Sequence, residues 1–573
     1  MKLTRRTLFG ASALSAVALA GCSKAGDGAD GDKGGAGRTG EKIAAKQNDM
    51  NPKKRDEIGE GGSLRLALGA FPANWNAFSA DGNDGETNSI MDMVIPGMIV
   101  SDAKGEVTKD PQTTLRIEKV KDNPFTVEAE LKPGFKWSDG TPIDYKSIEN
   151  VFTVMNGSKP GYQVASSEGY DKVEKIEQGK NDHTAVITFK EPYADWKRLL
   201  GLMPDSLAAS AEAFNTGWAD GPKVTGGPFK IDKIDPGNKT VTLVPDENWA
   251  GDKPFLKQVL WTTVEDMSAA ATAFKNGQLD VVGANIPAVY SVVKGMVGKN
   301  GITLRKAAGP NWAHFTLNGA EGRPLADVHV RRAVFNAINR KEAFLSVNST
   351  MPYPKETSVL GNHMIMTNQD GYKDNSAEYG KYDLESAKKH LQEAGYTMQN
   401  GKAVKDGKPL EISYVYAAVA KENEAIIPVV RKNLQDAGIT LKIQKVPPSD
   451  LFSKYVIPGD FDLAMFYWLG TPFFSGSDAI WRTNGEQNFG KVSDPEVDKL
   501  LNQAAQETDE KKRIDLENEL DSKLWTLAGT LPLWQAYNFT VLDETLANYG
   551  PRGFQSLDWT MVGYTKGSPK LKS

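Results

Sequence analysis

Five histidines, His183, His314, His329, His363 and His390, are the side chains most able to ligate a metal or move a proton in this chain. Their order shows no His-x-x-x-His or His-Glu-x-x-His spacing, so they read as separate surface or core residues and no metal site is expected. His329 falls on a helix and His390 near a helix end, where an imidazole suits the helix dipole. No Gly-x-x-x-x-Gly-Lys-Ser/Thr loop offers a phosphate cradle, and no Gly-x-Ser-x-Gly elbow presents a serine. Nucleotide hydrolysis therefore belongs to another polypeptide. The 73 acidic residues are too many for sequence to single out a glycosidase-like pair, and their common role is a solvated surface. Aromatic groups are the stronger signal. Several of the 12 tryptophans sit among turn residues: Asn74-Trp75-Asn76, Asn311-Trp312, and Tyr467-Trp468-Leu469-Gly470-Thr471-Pro472-Phe473-Phe474. Tryptophan and tyrosine combine large contact area with one polar handle, which suits recognition as well as packing.

The single cysteine, Cys22, closes Leu19-Ala20-Gly21-Cys22 behind Lys2, Arg5, Arg6 and an uncharged stretch from Leu8 to Ala20. That stretch, roughly 13 residues, is short of the ~20 needed to cross a bilayer as a helix, so residues 1–21 read as a cleavable export signal. Small residues followed at once by cysteine resemble the bacterial lipobox. Cys22 is then the lipid anchor, with several acyl chains on the one site giving stable attachment. The protein is expected on the outer face of the cytoplasmic membrane of a bacterium. Arg5-Arg6 after Thr4 loosely resembles a twin-arginine signal with Leu8 and Phe9 in swapped order, so both export routes stay open. With Cys22 lipidated, no thiol is left for a disulfide, a thiolate metal site or a nucleophile.

Residues 22–60 are rich in Gly, Asp, Lys and Ala and read as a flexible tether, spanning on the order of 35 Å as a coil. The remaining chain is long enough for two to four lobes with sizeable cores. Near-balanced charge, 68 basic against 73 acidic, argues against nucleic acid as a partner. Alternation marks Ser63–Leu68 as a strand; Phe125–Leu131, Thr184–Phe189, Thr240–Val244, Gln258–Val264, Ile412–Tyr416 and Thr440–Val446 are further strands. Asp327 caps a helix over Val328–Ser346, Asp383 opens one that stops at Gly395, Glu422–Ala437 stops at Gly438, and Asp494-Pro495 opens another. Asp144 caps a helix through Val151-Phe152. Interleaved strands and helices indicate an α/β fold.

The run Leu131-Lys132-Pro133-Gly134-Phe135-Lys136-Trp137-Ser138-Asp139-Gly140-Thr141-Pro142-Ile143 resembles the signature of the family 5 extracellular solute-binding proteins, the peptide/nickel class of ABC importer receptors. Further blocks follow in that family's order: Gly227-Pro228-Phe229-Lys230 with Asn248-Trp249, Ala269–Val281, Phe315–Arg340, Lys381–Tyr396 and Leu531-Pro532-Leu533-Trp534. The resemblance covers about residues 62–560. It implies a bilobal periplasmic-binding-protein-like fold of type II, with two lobes joined by a hinge and an extra inserted subdomain. Lobe I is expected over 61–109, 219–313 and 535–573, the inserted subdomain over 110–218, and lobe II over 314–534. Crossings are expected near His314–Asn318 and Trp534–Phe539.

In peptide-binding relatives an aspartate near the Trp468 position pairs with the ligand's α-amino group. Aligning Trp468 with the family's tryptophan puts Thr471 there, which supplies no charge; Asp478, Asp84 and Glu86 are alternative carboxylates. The resemblance implies a receptor and not an enzyme, one that captures oligopeptides between its lobes and delivers them to ABC permease subunits. It needs no cofactor and is expected to be a monomer. Ligand contacts are expected from Asn74, Trp75, Asn76, Trp312, Trp468, Gly470, Thr471, Phe473 and Phe474. Alternatives are an oligosaccharide or metal-chelate receptor, a secreted lipid-anchored hydrolase, and a binding scaffold for exported polypeptides.

Overall fold

The computed structural model describes residues 48–572 apart from 356, 358 and 419, so Cys22 and the export signal lie outside the described residues. The chain divides into two compact units. Of the described residues, unit one holds 48–307 with 538–572, and unit two holds 308–537.

Residues 48–60 are not a free tether where they are described. The Asp49 amide donates to Pro551 O (2.6 Å), the Lys53 amide to Asn548 Oδ1 (2.8 Å) and the Arg55 guanidinium to Thr560 O (3.2 Å). The segment is held by hydrogen bonds to residues near the carboxyl terminus and by burial of Met50 and Ile58, which its largely polar composition does not announce.

Strand β1 (Ser63–Leu68) alternates, burying Leu64, Leu66 and Leu68. Helix α1 (Gly85–Val94) follows, capped by Asp84. Strands β2 (Thr114–Lys121), β3 (Thr126–Leu131), β4 (Val173–Gln178) and β5 (Thr184–Phe189) form an antiparallel sheet in the order β2-β3-β5-β4. Helix α2 (Tyr145–Met155), capped by Asp144, buries Ile148, Val151 and Phe152 in the same core as Val127, Ala185 and Ile187 of that sheet. Strands β6 (Phe229–Asp235), β7 (Thr240–Pro245) and β8 (Gln258–Thr263) complete a second sheet, β1-β8-β7-β6, in which β1 and β8 run parallel. Strand β9 (Val281–Gly283) follows.

The chain enters unit two inside strand β10 (Ile302–Leu317) and leaves inside the later strand β14 (Thr530–Asp543). The entry falls after Ala307, ahead of the expected 314, because β10 is one unbroken strand with no local signal at the boundary. The single helix expected over Val328–Ser346 is two: α3 (Val328–Ala337) and α4 (Arg340–Asn348). Ile338 turns extended, and the Asn339 side chain accepts the Glu342 amide as a new cap. Tertiary contact also fixes the start of α4: buried Arg340 donates to Leu360 O, Pro532 O and Gly380 O, at 2.6–3.0 Å.

Helix α5 (Leu384–Glu393), capped by Asp383, leads to β11 (Glu411–Ala417), α6 (Lys421–Asp436), β12 (Thr440–Val446) and β13 (Leu463–Leu469). Gly395 and Gly438 have φ of +85° and +87°, the left-handed conformation that glycine adopts cheaply after a helix. Helices α7 (Pro495–Gln506, capped by Asp494) and α8 (Glu510–Leu527) precede β14. The sheet of unit two has the order β14-β10-β13-β11-β12, while the far end of β14 pairs with β9 in unit one.

Candidate functional site

Within unit two, β11, β12 and β13 run parallel, with their carboxyl ends on one edge of the sheet. Strand β10 is antiparallel to β13, placing Asn311 opposite Leu469 and Trp312 opposite Trp468 on that same edge. The Gly470 amide donates to Pro310 O at 2.9 Å. The segment Trp468–Phe473, the start of α6 and both chain crossings therefore lie along the edge formed by the carboxyl ends of parallel strands. In open α/β sheets such an edge is where ligands bind.

Alternation along β10 and β13 sorts the side chains to two faces. On one face Trp468 stacks on His314 (5.5 Å between centroids, 6° apart) and on Phe489 (5.8 Å, 16°), with Phe466 edge-on at 5.3 Å. Trp312 is only 3% exposed and lies edge-on to His363 at 6.2 Å. His363 is fully buried, its ring nitrogens 2.6 Å from Asp521 Oδ1 and 2.8 Å from Thr530 O. His314 has Nδ1 3.2 Å from Thr316 Oγ1. Burial, and then the neighbouring His363, push the His314 imidazole well below its ordinary range, so it is neutral. Thr316, His363, Trp468, Trp481, Asn488 and Phe489 line a cavity of about 30 Å³, room for about two water molecules. Among the described residues, His314 Nε2 and the indole nitrogens of Trp468 and Trp481 meet no protein partner, so the two indoles offer donors on this face.

The opposite face carries Tyr467, Tyr353, Tyr414 and Trp534, with Tyr353 packed on Tyr537 at 5.3 Å. Glu422 stands in the first turn of α6. Among the described residues no cation or hydrogen-bond donor is paired with its carboxylate. Burial raises the Glu422 carboxyl above the ordinary range. Burial also raises the hydroxyls of Tyr353, Tyr414 and Tyr467, and the nearby Glu422 charge adds to the rise in all three. A half-buried carboxylate without a partner, set near tyrosines, is suited to an incoming cation.

Thr471 does not offer a free acceptor. Its hydroxyl donates to Phe473 O (2.8 Å) and accepts from the Phe473 amide (2.9 Å), closing a local turn. Gly476 permits that turn, since a Cβ there would lie 2.6 Å from Thr471 Cγ2. Leu469, Gly470, Thr471 and Phe473 keep solvent access, Leu469 being 68% exposed, while Phe474 is buried. Asp478 is held by Arg482 through paired bonds of 2.6 Å.

In unit one, Trp75 is buried edge-on to Phe71. The Asn74 amide donates to Asn215 O (2.7 Å) and the Asn76 amide to Phe214 O (2.8 Å). These three side chains are engaged in holding unit one together. Asp84 accepts the Glu86 and Thr87 amides as a helix cap, and Glu86 accepts the Gly69 amide. Of the residues described above, the sequence names Trp312 and Trp468 as expected ligand contacts and does not so name His314, His363, Trp481 or Glu422. None of the four carried a distinguishing local signal: Glu422 shares the first turn of α6 with Glu424.

The family model of bacterial extracellular solute-binding proteins, family 5 Middle, matches residues 105–491. The oligopeptide-binding protein OppA of Mycobacterium tuberculosis is 33% identical over 528 residues, 91% of this chain and 87% of that protein. OppA of Bacillus subtilis is 24% identical, covering 81% of this chain and 86% of that protein. Among solved structures, a periplasmic EDTA-binding protein, EppA, superposes with a TM-score of 0.83 at 24% identity, covering 90% of this chain and 98% of that one. The oligopeptide-binding protein AppA of Bacillus subtilis, in complex with a nonapeptide, gives 0.71 at 20%, covering 89% and 100%. At these identities the structural likeness establishes the fold: two α/β units of the family 5 type.

Proposed function

Because this chain belongs to the family 5 bacterial extracellular solute-binding proteins, we propose that it is the oligopeptide receptor of an ABC importer, anchored by lipid on Cys22 at the outer face of the cytoplasmic membrane. The observation that carries the reading is 33% identity to an oligopeptide-binding protein over 91% of the chain. Solute binding is the family's role; the peptide class, the lipid anchor and delivery to permease subunits are the further steps proposed. No covalent chemistry is required.

At the sheet edge of unit two, the Gly470 carbonyl and the exposed backbone of Leu469 supply peptide hydrogen bonds, and Trp468 and Phe473 supply aromatic contact. Glu422 takes the part that Thr471 cannot, meeting the ligand's amino group with a negative charge. Hydrogen bonds to charged groups contribute about 1.5–3 kcal/mol. Glu422→Gln is therefore expected to weaken a free-amine peptide by about 10- to 100-fold. The same peptide with an acetylated amino terminus should bind wild type and variant alike. Equal losses for both peptides would remove Glu422 from amine recognition.

The class of solute is tested by thermal shift against peptides, oligosaccharides and metal chelates. A ligand at 100 times its dissociation constant adds about 2.7 kcal/mol of stability. If only sugars or only chelates raise the melting temperature, the peptide reading fails. Trp468→Ala is expected to weaken peptide binding at least tenfold, with unliganded melting followed in parallel because Trp468 also packs on His314 and Phe489.

A further inference from the structure

His329, His390 and Glu393 are brought together on the surface of unit two, away from the sheet edge. His329 lies in the first turn of α3, where Asp327 accepts its backbone amide at 2.8 Å. His390 and Glu393 lie in the last turn of α5, on one face because they are three residues apart. Glu393 Oε2 is 3.0 Å from Nδ1 of His329 and 2.8 Å from Nδ1 of His390. The two imidazole rings are 5.9 Å apart, and one ligand atom from each of the three residues falls within 4.8 Å of the others. The helices that carry them are fixed by the core beneath, through Val330 and Val334 of α3 and Ala387 and Leu391 of α5. The site is thus prepositioned by packing and open to solvent, with side-chain exposures of 36%, 17% and 36%.

The donor set specifies the kind of ion. Zinc binds imidazole nitrogen and carboxylate oxygen at about 2.0–2.2 Å, which in tetrahedral geometry separates the ligand atoms by roughly 3.3 Å. The observed separations of 2.8 and 3.0 Å need only a small opening to admit an ion between them. Two imidazoles with one carboxylate favour zinc and its first-row neighbours over magnesium or calcium, which prefer all-oxygen shells. Lys389 reaches the other carboxylate oxygen of Glu393 at 3.9 Å, but its side chain is 74% exposed and free to swing into solvent.

We propose that His329, His390 and Glu393 form a binding site for a divalent first-row transition ion of the zinc class, joining the start of α3 to the end of α5. Water completes the coordination. The site is separate from solute capture and does not depend on the identity of the solute.

The test is titration of untagged, metal-free full chain with zinc chloride by calorimetry, with cobalt(II) absorption as a second readout. One ion per chain is expected. His329→Ala and His390→Ala should each weaken binding at least tenfold, and Glu393→Gln at least threefold. His183→Ala and Cys22→Ser should leave it unchanged. Metal-free melting of each variant, matched to wild type, separates lost ligation from lost folding. The proposal is overturned if wild type takes up no zinc at tens of micromolar, or if both histidine variants bind as tightly as wild type.

Discussion

His314 illustrates how a residue's environment governs its response to pH. Buried against Trp468 and Phe466, it is neutral in the folded chain, its imidazole held well below the ordinary range by desolvation. An unfolded histidine takes up a proton near pH 6.5. Below that pH, and down to the lowered folded value, the unfolded state binds more protons than the folded one. Stability therefore falls as pH falls through this window, by up to roughly 1.4 kcal/mol per pH unit for one such group. The urea midpoint of wild type should drop between pH 7.5 and 5.5, and His314→Gln should reduce that slope. An identical slope in the variant would mean that His314 does not titrate in this window. At this same scale the sequence was uneven as a guide. Trp468 stood out because an aromatic beside glycine, threonine and proline is unusual for a core. Glu422 did not, because nothing local distinguishes a paired acid from an unpaired one. Thr471 was visible as a departure from the family pattern, yet only its bonds to Phe473 show that its hydroxyl is already used.

Among the elements, those with a local physical signature were legible. Strand β1 alternates, and Asp144, Asp383 and Asp494 each accept amides in the first turn of the helix they open. The break between α3 and α4 carried only one such sign, Asn339 three residues before Glu342, and apolar residues continue across it. Tertiary contact adds to it through buried Arg340, whose guanidinium is brought down to about 10 by desolvation and satisfies three carbonyls. Arg340→Met should leave those acceptors without a donor and cost about 3 kcal/mol or more. A chemical-denaturation series showing less than 1 kcal/mol would mean that Arg340 contributes little at the break. Helix α8 escaped sequence inspection for a related reason. It buries Glu517, Asn518 and Asp521, so its inward face is partly polar and its amphipathic pattern weak. Asp521 is there to bind His363, which is distant in sequence.

At the scale of the molecule, unit two is one continuous stretch with its own core around Phe335, Trp525 and Trp534, whereas unit one is built from separate segments. A fragment spanning 308–537 is accordingly expected to unfold cooperatively and to retain the zinc affinity of the full chain. A fragment that melts without a cooperative transition would show that unit two needs the rest of the chain. The sequence by itself determined what depends on neighbours along the chain: the alternating strands, the capped helices, and motif blocks in an order that identifies the family. Tertiary structure alone decided which polar groups meet. His329 and His390 looked unrelated because metal-ligand spacing in sequence reports only ligands carried by one element, and these come from two helices joined by the core. Glu422 likewise gained its character from what surrounds it. Hydrogen bonding, desolvation and coordination act through space, over a few ångströms, and chain order does not record those distances.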